Sequence, residues 1–562
     1  MNTFNIQNSI IQLFIHLLIF TFTHSLSSQP TYEQYDQTKE GILVFHPIKT
    51  DSKGYIIPWF SSSTGVALEQ AIMSTWNFWY TMRSDQIGLP YYMLHQVWRN
   101  KSNDPRGIGG DQIQMMLSSL ILLYQYTGDE KVKDNARFLA DYYLTHSLSP
   151  ANAVYPNIPY PYNTLMHSGI YDGDMVIGPG YTQPDKAGSL GWEICKMALL
   201  FNNYFGPHAT SEAYWKYAIG IADCMAKNIK SGDANNSPWP FKVQAVTGEI
   251  GILKEEKKNI SASYTSNYSG TLYMFEILIA NKRGNIESYE KARETLLNWM
   301  KNYPLKTNKW GPFFEDVPGW SDTQINAVTF AEYIMNHPQD FPNWKKDVKI
   351  IFDWCYKNLG NKEWEKYGVI AINEQTAYQV PGNSHSARQA ATELLYTKLS
   401  GDTTFLRNAV RVLNWVTYMV DNDGKNCYPR DEIWLTDGYG DYIRHLLKAL
   451  AWYPELVPMG QNRILHSTTT LNHIEYAPDF NKVQGGGRLS NEYLPFVKIY
   501  YRTGTENSIE TIRMETKPAK VLTWNDLLLE TNNPNEDGWM WTPLKQGGLL
   551  RIKHKAIDVK VF

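Results

Sequence analysis

The residues of this chain best suited to chemistry sit in loops that lead into helices. The run from Pro161 to Phe205 gathers His167, Tyr171, Asp172, Asp174, Tyr181, Asp185 and Lys186 among Gly and Pro residues. It then continues through Leu190, Ile194, Met197, Ala198, Phe201 and Phe205. That spacing is one face of a helix, so the stretch reads as a loop through Gly188 and a helix from Ser189. A helix N-terminus fed by such a loop offers backbone N–H groups that favour anions.

The same mixture recurs before other helical patterns. One loop carries Arg106 and Asp111, the next Tyr264 and Tyr268, and another Glu315, Asp316, Trp320 and Asp322. Then come Glu374, Tyr378, His385 and Arg388, and finally Tyr428, Arg430, Asp431, Asp437, Tyr439 and Asp441. A histidine or phenol at such a site can move protons. His167 and His385 are therefore candidate bases or carboxylate partners, and Tyr171, Tyr264 and Tyr439 candidate acid/base phenols. The guanidinium fork matches carboxylate or sulfate, which makes Arg388 and Arg430 candidate clamps, with Lys186 a further cation for substrate. Trp192 and Trp320 are candidate stacking platforms.

Each has a plainer reading. A lone histidine is more often structural, and a tryptophan more often core. Arg388 has Glu374 and Glu393 as nearby acids, and Asp111 and Asp322 suit helix caps. Hydrolysis would need two carboxyl groups about 5–5.5 Å apart for retention or about 6.5–9.5 Å for inversion. Asp172, Asp174, Asp185, Glu193, Asp322 and Glu374 are available for it. Asp172 and Asp174 also suit Ca2+, but a full calcium-loop pattern is missing, so a divalent metal stays open. No nucleotide-binding loop, nucleophile elbow or HExxH occurs, and no organic cofactor is expected.

What must position these groups is a repeat. A polar-aromatic loop followed by a helix recurs near Asp111, Ser189, Ser269, Asp322, Ser386 and Gly440, at spacings of 78, 80, 53, 64 and 54 residues. A second helical pattern precedes each, near 65–82, 131–147, 211–230, 288–301, 343–358 and 403–420. The turns at Thr127 and Ser400, TGDEK and SGDTT, pair a helix-ending Gly with a capping Asp. Six helix pairs predict a mainly α chain folded as an (α/α)6 toroid, in which the loops before the inner helices meet at one mouth. From about Arg463 the pattern becomes short, alternating and β-rich, so residues 461–562 read as a C-terminal β-sandwich-like domain following a toroid over 28–460.

Composition narrows the function. At 562 residues the chain exceeds one ordinary core. A net charge of −3 with 19% charged residues excludes a broad basic field for nucleic acid. Aromatics at 14% suit sugar stacking and helix packing equally. The apolar run Ile10 to Thr23, followed by Ser25 and Ser27, reads as a secretory signal peptide over 1–27, although its n-region lacks Lys and Arg. The expectation is a secreted or periplasmic protein with no membrane span after cleavage. Cys195, Cys224, Cys355 and Cys427 are far apart with no CxxC, which disfavours structural zinc.

The helix pairs with their GD turns, the phrase SPWPFKVQAVTGE at Ser237 to Glu249, the aromatic loops and the β-rich tail together resemble the (α/α)6-toroid enzymes that act on uronic-acid polysaccharides. That group includes lyases, unsaturated glucuronyl hydrolases and epimerases. More narrowly, the chain is similar to secreted proteins of marine polysaccharide degraders, among them dehydratases of ulvan oligosaccharides. The resemblance fixes no catalytic position. It implies an anionic oligosaccharide or polysaccharide as partner. It also implies elimination across C4–C5 of a uronate, with water or a sugar leaving. The alternatives are a hydrolase with paired carboxylates, an epimerase sharing the same proton abstraction, and a glycan-binding protein without catalysis.

Overall fold

A computed structural model describes residues 41–44, 46–81, 110–160, 173–174, 178–202, 209–254, 259–313, 320–426, 429, 439–477, 497–524 and 526–562. Within them lie twelve helices of eleven residues or more. They are α1 (Thr64–Thr81), α2 (Gly110–Thr127), α3 (Glu130–His146), α4 (Pro184–Leu200), α5 (Ala209–Asn228) and α6 (Ser269–Ala280). The rest are α7 (Ile286–Asn302), α8 (Gln324–Asn336), α9 (Trp344–Leu359), α10 (Asn383–Ser400), α11 (Leu406–Val416) and α12 (Tyr439–Trp452).

The even-numbered helices form a cycle of contacts. Each packs on the next from α2 to α12, and α12 packs back on α2. The odd-numbered helices lie outside: α3, α5, α7, α9 and α11 each pack on the even helix before them, and α1 packs on α12. Sequence pattern explains the layering. α7 buries Tyr289, Ala292, Leu296, Leu297, Trp299 and Met300, an apolar stripe with charge on its other face. α10 is buried at every residue from Asn383 to Tyr396, polar and apolar alike, as a helix enclosed on all sides must be.

Small residues let the inner helices approach. A Cβ added at Gly188 of α4 would fall 2.0 Å from Thr271 Oγ1 of α6, and one at Gly270 of α6 would fall 2.5 Å from Ser189 Oγ. Hydrogen bonds fix the direction. Ser119 of α2 donates to the Gly440 carbonyl at the start of α12 and accepts from the Arg444 N–H at 3.0 Å. Gln324, first residue of α8, meets Arg388 and Gln389 in the second turn of α10. The start of α8 thus meets the start of α10, and the start of α12 meets the middle of α2.

The capping reading holds at Gly128 and Asp129, where Asp129 accepts from the Lys131 N–H. At the second turn Gly401 ends α10 with φ +77°, but Asp402 accepts from Thr404 and Phe405 stands at the helix start. One boundary is corrected. α4 starts at Pro184, not Ser189, with proline in its first turn. Asp185, Lys186 and Gly188 are therefore helical and buried, a polar first turn that apolar spacing does not register.

Beyond the helices come β1 (Arg463–Ser467), β2 (Leu471–Tyr476), β3 (Ile499–Thr503), β4 (Ser508–Met514), β5 (Val521–Thr523), β6 (Asp526–Leu528), β7 (Gly538–Pro543), β8 (Gly548–His554) and β9 (Asp558–Val561). They form two antiparallel sheets, ordered β1-β4-β8-β7 and β2-β3-β9-β5-β6. A buried Glu510 joins them, accepting from Tyr501 of the second sheet and contacting His554 Nε2 of the first at 2.7 Å. β1 packs on α2 and α12, and β2 on α4. Among the described residues, Cys195, Cys224 and Cys355 are free and buried. No described helix is long and apolar enough to cross a membrane.

Candidate functional site

A cavity runs down the middle of the helix cycle. Its wall takes Gln114 and Ser118 from α2, Lys186, Ser189 and Trp192 from α4, and Tyr273 from α6. It also takes Thr329 and Glu332 from α8 and Arg444, His445 and Lys448 from α12.

The α12 groups converge on one carboxylate. Asp441 accepts from Arg388 of α10, from Arg444 Nε at 2.7 Å, and contacts His445 Nε2 at 2.9 Å. Residues 441, 444 and 445 share a helix face because i+3 and i+4 are neighbours there. Burial works against the charge on Asp441, but the three cationic or donor groups hold its carboxyl well below the usual range. Burial, with Arg388 and Arg444 nearby, keeps the His445 pKa well below 6.5 despite Asp441. At neutral pH His445 is a neutral imidazole held by a carboxylate, beside a guanidinium on the same cavity wall. That places a candidate base beside a guanidinium that shares its carboxylate.

A second polar group lies at the start of α4. Asp185 is fully buried and accepts from Asn267 Nδ2 at 2.8 Å, while its Oδ1 has no hydrogen-bond partner among the described residues. Burial raises its pKa to about 6. Lys186 beside it faces the cavity, its ammonium 4.4 Å from the Phe313 ring centroid.

The sequence candidates divide. Lys186 and Trp192 line the cavity. Trp192 is no bare platform: Tyr273 stacks on it at 4.5 Å and the Lys196 ammonium stands 3.5 Å from its ring centroid. Arg388 joins the site from behind, 1% exposed, paired with Asp441 and donating to Gln324. Its guanidinium holds Asp441, and through it the face of α12 that lines the cavity. His385 is buried near that pair, and burial with Arg388 pushes its pKa down to about 3.

Tyr264 is not on the cavity wall. It donates to the Lys309 carbonyl at 3.3 Å and packs against Trp299 and Trp320, and burial pushes its phenol well above 10. Trp320 belongs to that cluster, with Lys309 4.6 Å from its ring centroid. Asp322 accepts from the Trp310 N–H, while Thr323 caps α8. Tyr439 is the first residue of α12, its side chain outside the description. His167, Tyr171 and Arg430 lie outside the described residues.

Reading the loops missed Arg444, His445, Lys448 and Glu332. They sit inside helical patterns and so read as helix body. The signal was present as a polar stripe, Asp441, Arg444, His445 and Lys448, along an otherwise apolar helix. Among the described residues no group of three His, Cys, Asp or Glu could hold a metal ion.

No protein-family model matches the sequence, and no curated protein matches it. Solved structures do. A sugar epimerase from a ruminal bacterium aligns at 12% identity over 68% of this chain and 98% of its own, with a TM-score of 0.50. The cellobiose 2-epimerase of Spirochaeta thermophila aligns at 12% identity over 70% of this chain and 97% of its own, with a TM-score of 0.52. This chain shares their fold.

Proposed function

We propose that this chain is a carbohydrate-active enzyme built on an (α/α)6 toroid, and that it acts on uronic-acid-containing, ulvan-type oligosaccharides by elimination. One observation carries the reading: a neutral, carboxylate-held His445 stands beside Arg444 on the wall of the axial cavity. Arg444 faces the uronate carboxylate and makes the proton on the neighbouring C5 acidic. His445 takes that proton. The C5 electron pair forms the C4=C5 double bond, the C4–O bond breaks, and the oxygen leaves as water or a sugar hydroxyl, protonated by the His445 imidazolium or by solvent. No oxidant or second substrate is needed. Water loss is the preferred version, and it rests on the resemblance of the sequence to ulvan oligosaccharide dehydratases.

The fold shared with sugar epimerases fits this reading, because epimerisation next to a carbonyl begins with the same proton abstraction. The hydrolase is less well supported: the described cavity wall carries one carboxylate, Glu332, already paired with Lys448. Secretion or export to the periplasm goes with an extracellular polysaccharide as the source of substrate.

The test is to incubate the protein with saturated uronate oligosaccharides in D2O and follow mass and ultraviolet absorbance. Loss of one water with a new conjugated absorbance establishes the dehydratase, and chain cleavage with that absorbance a lyase. Deuterium uptake without mass loss or absorbance means epimerisation. Absence of all three removes the proposal.

A further inference from the structure

The far end of the axial cavity is barred by an ion pair that spans the helix cycle. Lys448 Nζ donates to both oxygens of Glu332, at 2.8 and 2.9 Å. Their helices, α12 and α8, are not neighbours, since α10 packs between them. The pair therefore crosses the channel and does not run along its wall. Lys448 lies three residues beyond His445, about 4.5 Å further along the helix at 1.5 Å per residue. Both side chains stay partly open, 20% and 16% exposed, and both line the cavity.

Below this bar lies the C-terminal β-region. β1 of the C-terminal sheets packs on α2 and α12, and its His466 lies 5.0 Å from Trp452 at the end of α12. The cavity itself is about 60 Å³. That is space for the hydroxyl-bearing edge of one sugar, not for a chain threading the ring.

We infer that the Lys448–Glu332 pair is a hydroxyl-reading floor and that the enzyme acts on the terminal sugar of an oligosaccharide, one unit per chain end. The ammonium donates to a sugar hydroxyl and the carboxylate accepts from another. A unit seated on this floor presents its reacting carbon to His445, one helical turn nearer the mouth. A chain-internal unit carries a glycosidic bond on each side, and the barred floor leaves no path for the second. This rests on the functional reading above.

The experiment gives the protein uronate oligosaccharides from disaccharide to octasaccharide, and the polymer, and counts altered residues per chain by mass spectrometry. One altered residue per chain at every length, with the polymer nearly inert per unit mass, is expected. Altered residues that multiply with chain length overturn this inference and leave the functional reading standing. No altered residue on any chain removes the functional reading and this inference with it. Lys448→Met and Glu332→Gln are then compared at saturating and limiting disaccharide. A tenfold or greater rise in KM with kcat lowered less is expected. Unchanged KM in both folded variants overturns the floor's role.

Discussion

His445 Nε2 lies 2.9 Å from Asp441 Oδ1, one helical turn away on α12. The carboxylate places the proton on that nitrogen and leaves Nδ1 as the basic atom. Replacing His445 by Gln removes the base and retains a polar side chain of similar reach. Turnover should fall by about 10²–10⁴-fold, the usual contribution of a positioned base. Substrate binding, followed by calorimetry, should change little. A variant retaining more than a tenth of wild-type turnover would assign the proton transfer to another group.

Asp441 bears on the same step through its partners. Asp441→Asn keeps the shape but removes the charge that Arg388, Arg444 and His445 share. Leaving buried guanidinium groups uncompensated costs about 3–5 kcal/mol. The variant should melt at lower temperature and lose turnover together. Asp441→Glu should recover part of the stability, and thermal melting separates the two effects.

The pH profile follows from His445. Burial and the neighbouring guanidinium groups keep its pKa well below 6.5, so it remains a neutral base in mildly acidic solution. The acid limb of kcat/KM should therefore lie below the range of an ordinary histidine. A limb centred at or above pH 6.5 would count against His445 as the base.

Much of the architecture could be read from the sequence, because helix pairs leave a periodic trace. The six second-helix patterns fall within two residues of the observed α1, α3, α5, α7, α9 and α11 at all but the two ends of α11. The outer helices carry that trace well because only one face of each is buried. The inner helices carry it poorly. α4 begins with the polar turn Pro184, Asp185, Lys186, and α10 opens with Asn383, Ser384 and His385, all buried. The site was harder still. Glu332 and Lys448 are 116 residues apart and meet across the ring. Arg388 and Asp441 were both named from their loops, but nothing in one dimension says that they pair. Residues on loops drew notice because their types were mixed, whereas the working face of α12 hid among leucines.

Gly188 and Gly270 set the spacing of α4 and α6. The added methyl of Gly188→Ala would fall 2.0 Å from Thr271 Oγ1 and 2.8 Å from its Cβ, and neither atom can withdraw far in a packed helix pair. Overpacking of this kind costs about 1–3 kcal/mol. Because Lys186 and Trp192 on α4 line the cavity, the variant should also weaken substrate binding. Pairing Gly188→Ala with Thr271→Ala, which removes the Oγ1 at the clash, should restore part of the melting temperature. No loss of stability in the single variant would mean that the helices are free to separate.

Glu393 supplies a pH dependence of stability that is separate from catalysis. It is fully buried on α10, and its Oε1 accepts from Gln389 and Tyr356, while Oε2 has no hydrogen-bond partner among the described residues. Burial raises its pKa to about 8 from an ordinary 4.5. The folded state thus binds the proton more tightly than the unfolded chain. The stabilisation is fully present below about pH 4.5 and is lost as pH rises through about 8. Glu393→Gln keeps the acceptor and replaces the unpartnered oxygen with a neutral amide that never ionises. Its stability should match wild type near pH 5 and exceed it near pH 9, by an amount on the order of a few kcal/mol, seen as a higher melting temperature. Parallel melting curves from pH 5 to pH 9 would show that Glu393 is ionised in the fold throughout, with a cation outside the described residues as its partner.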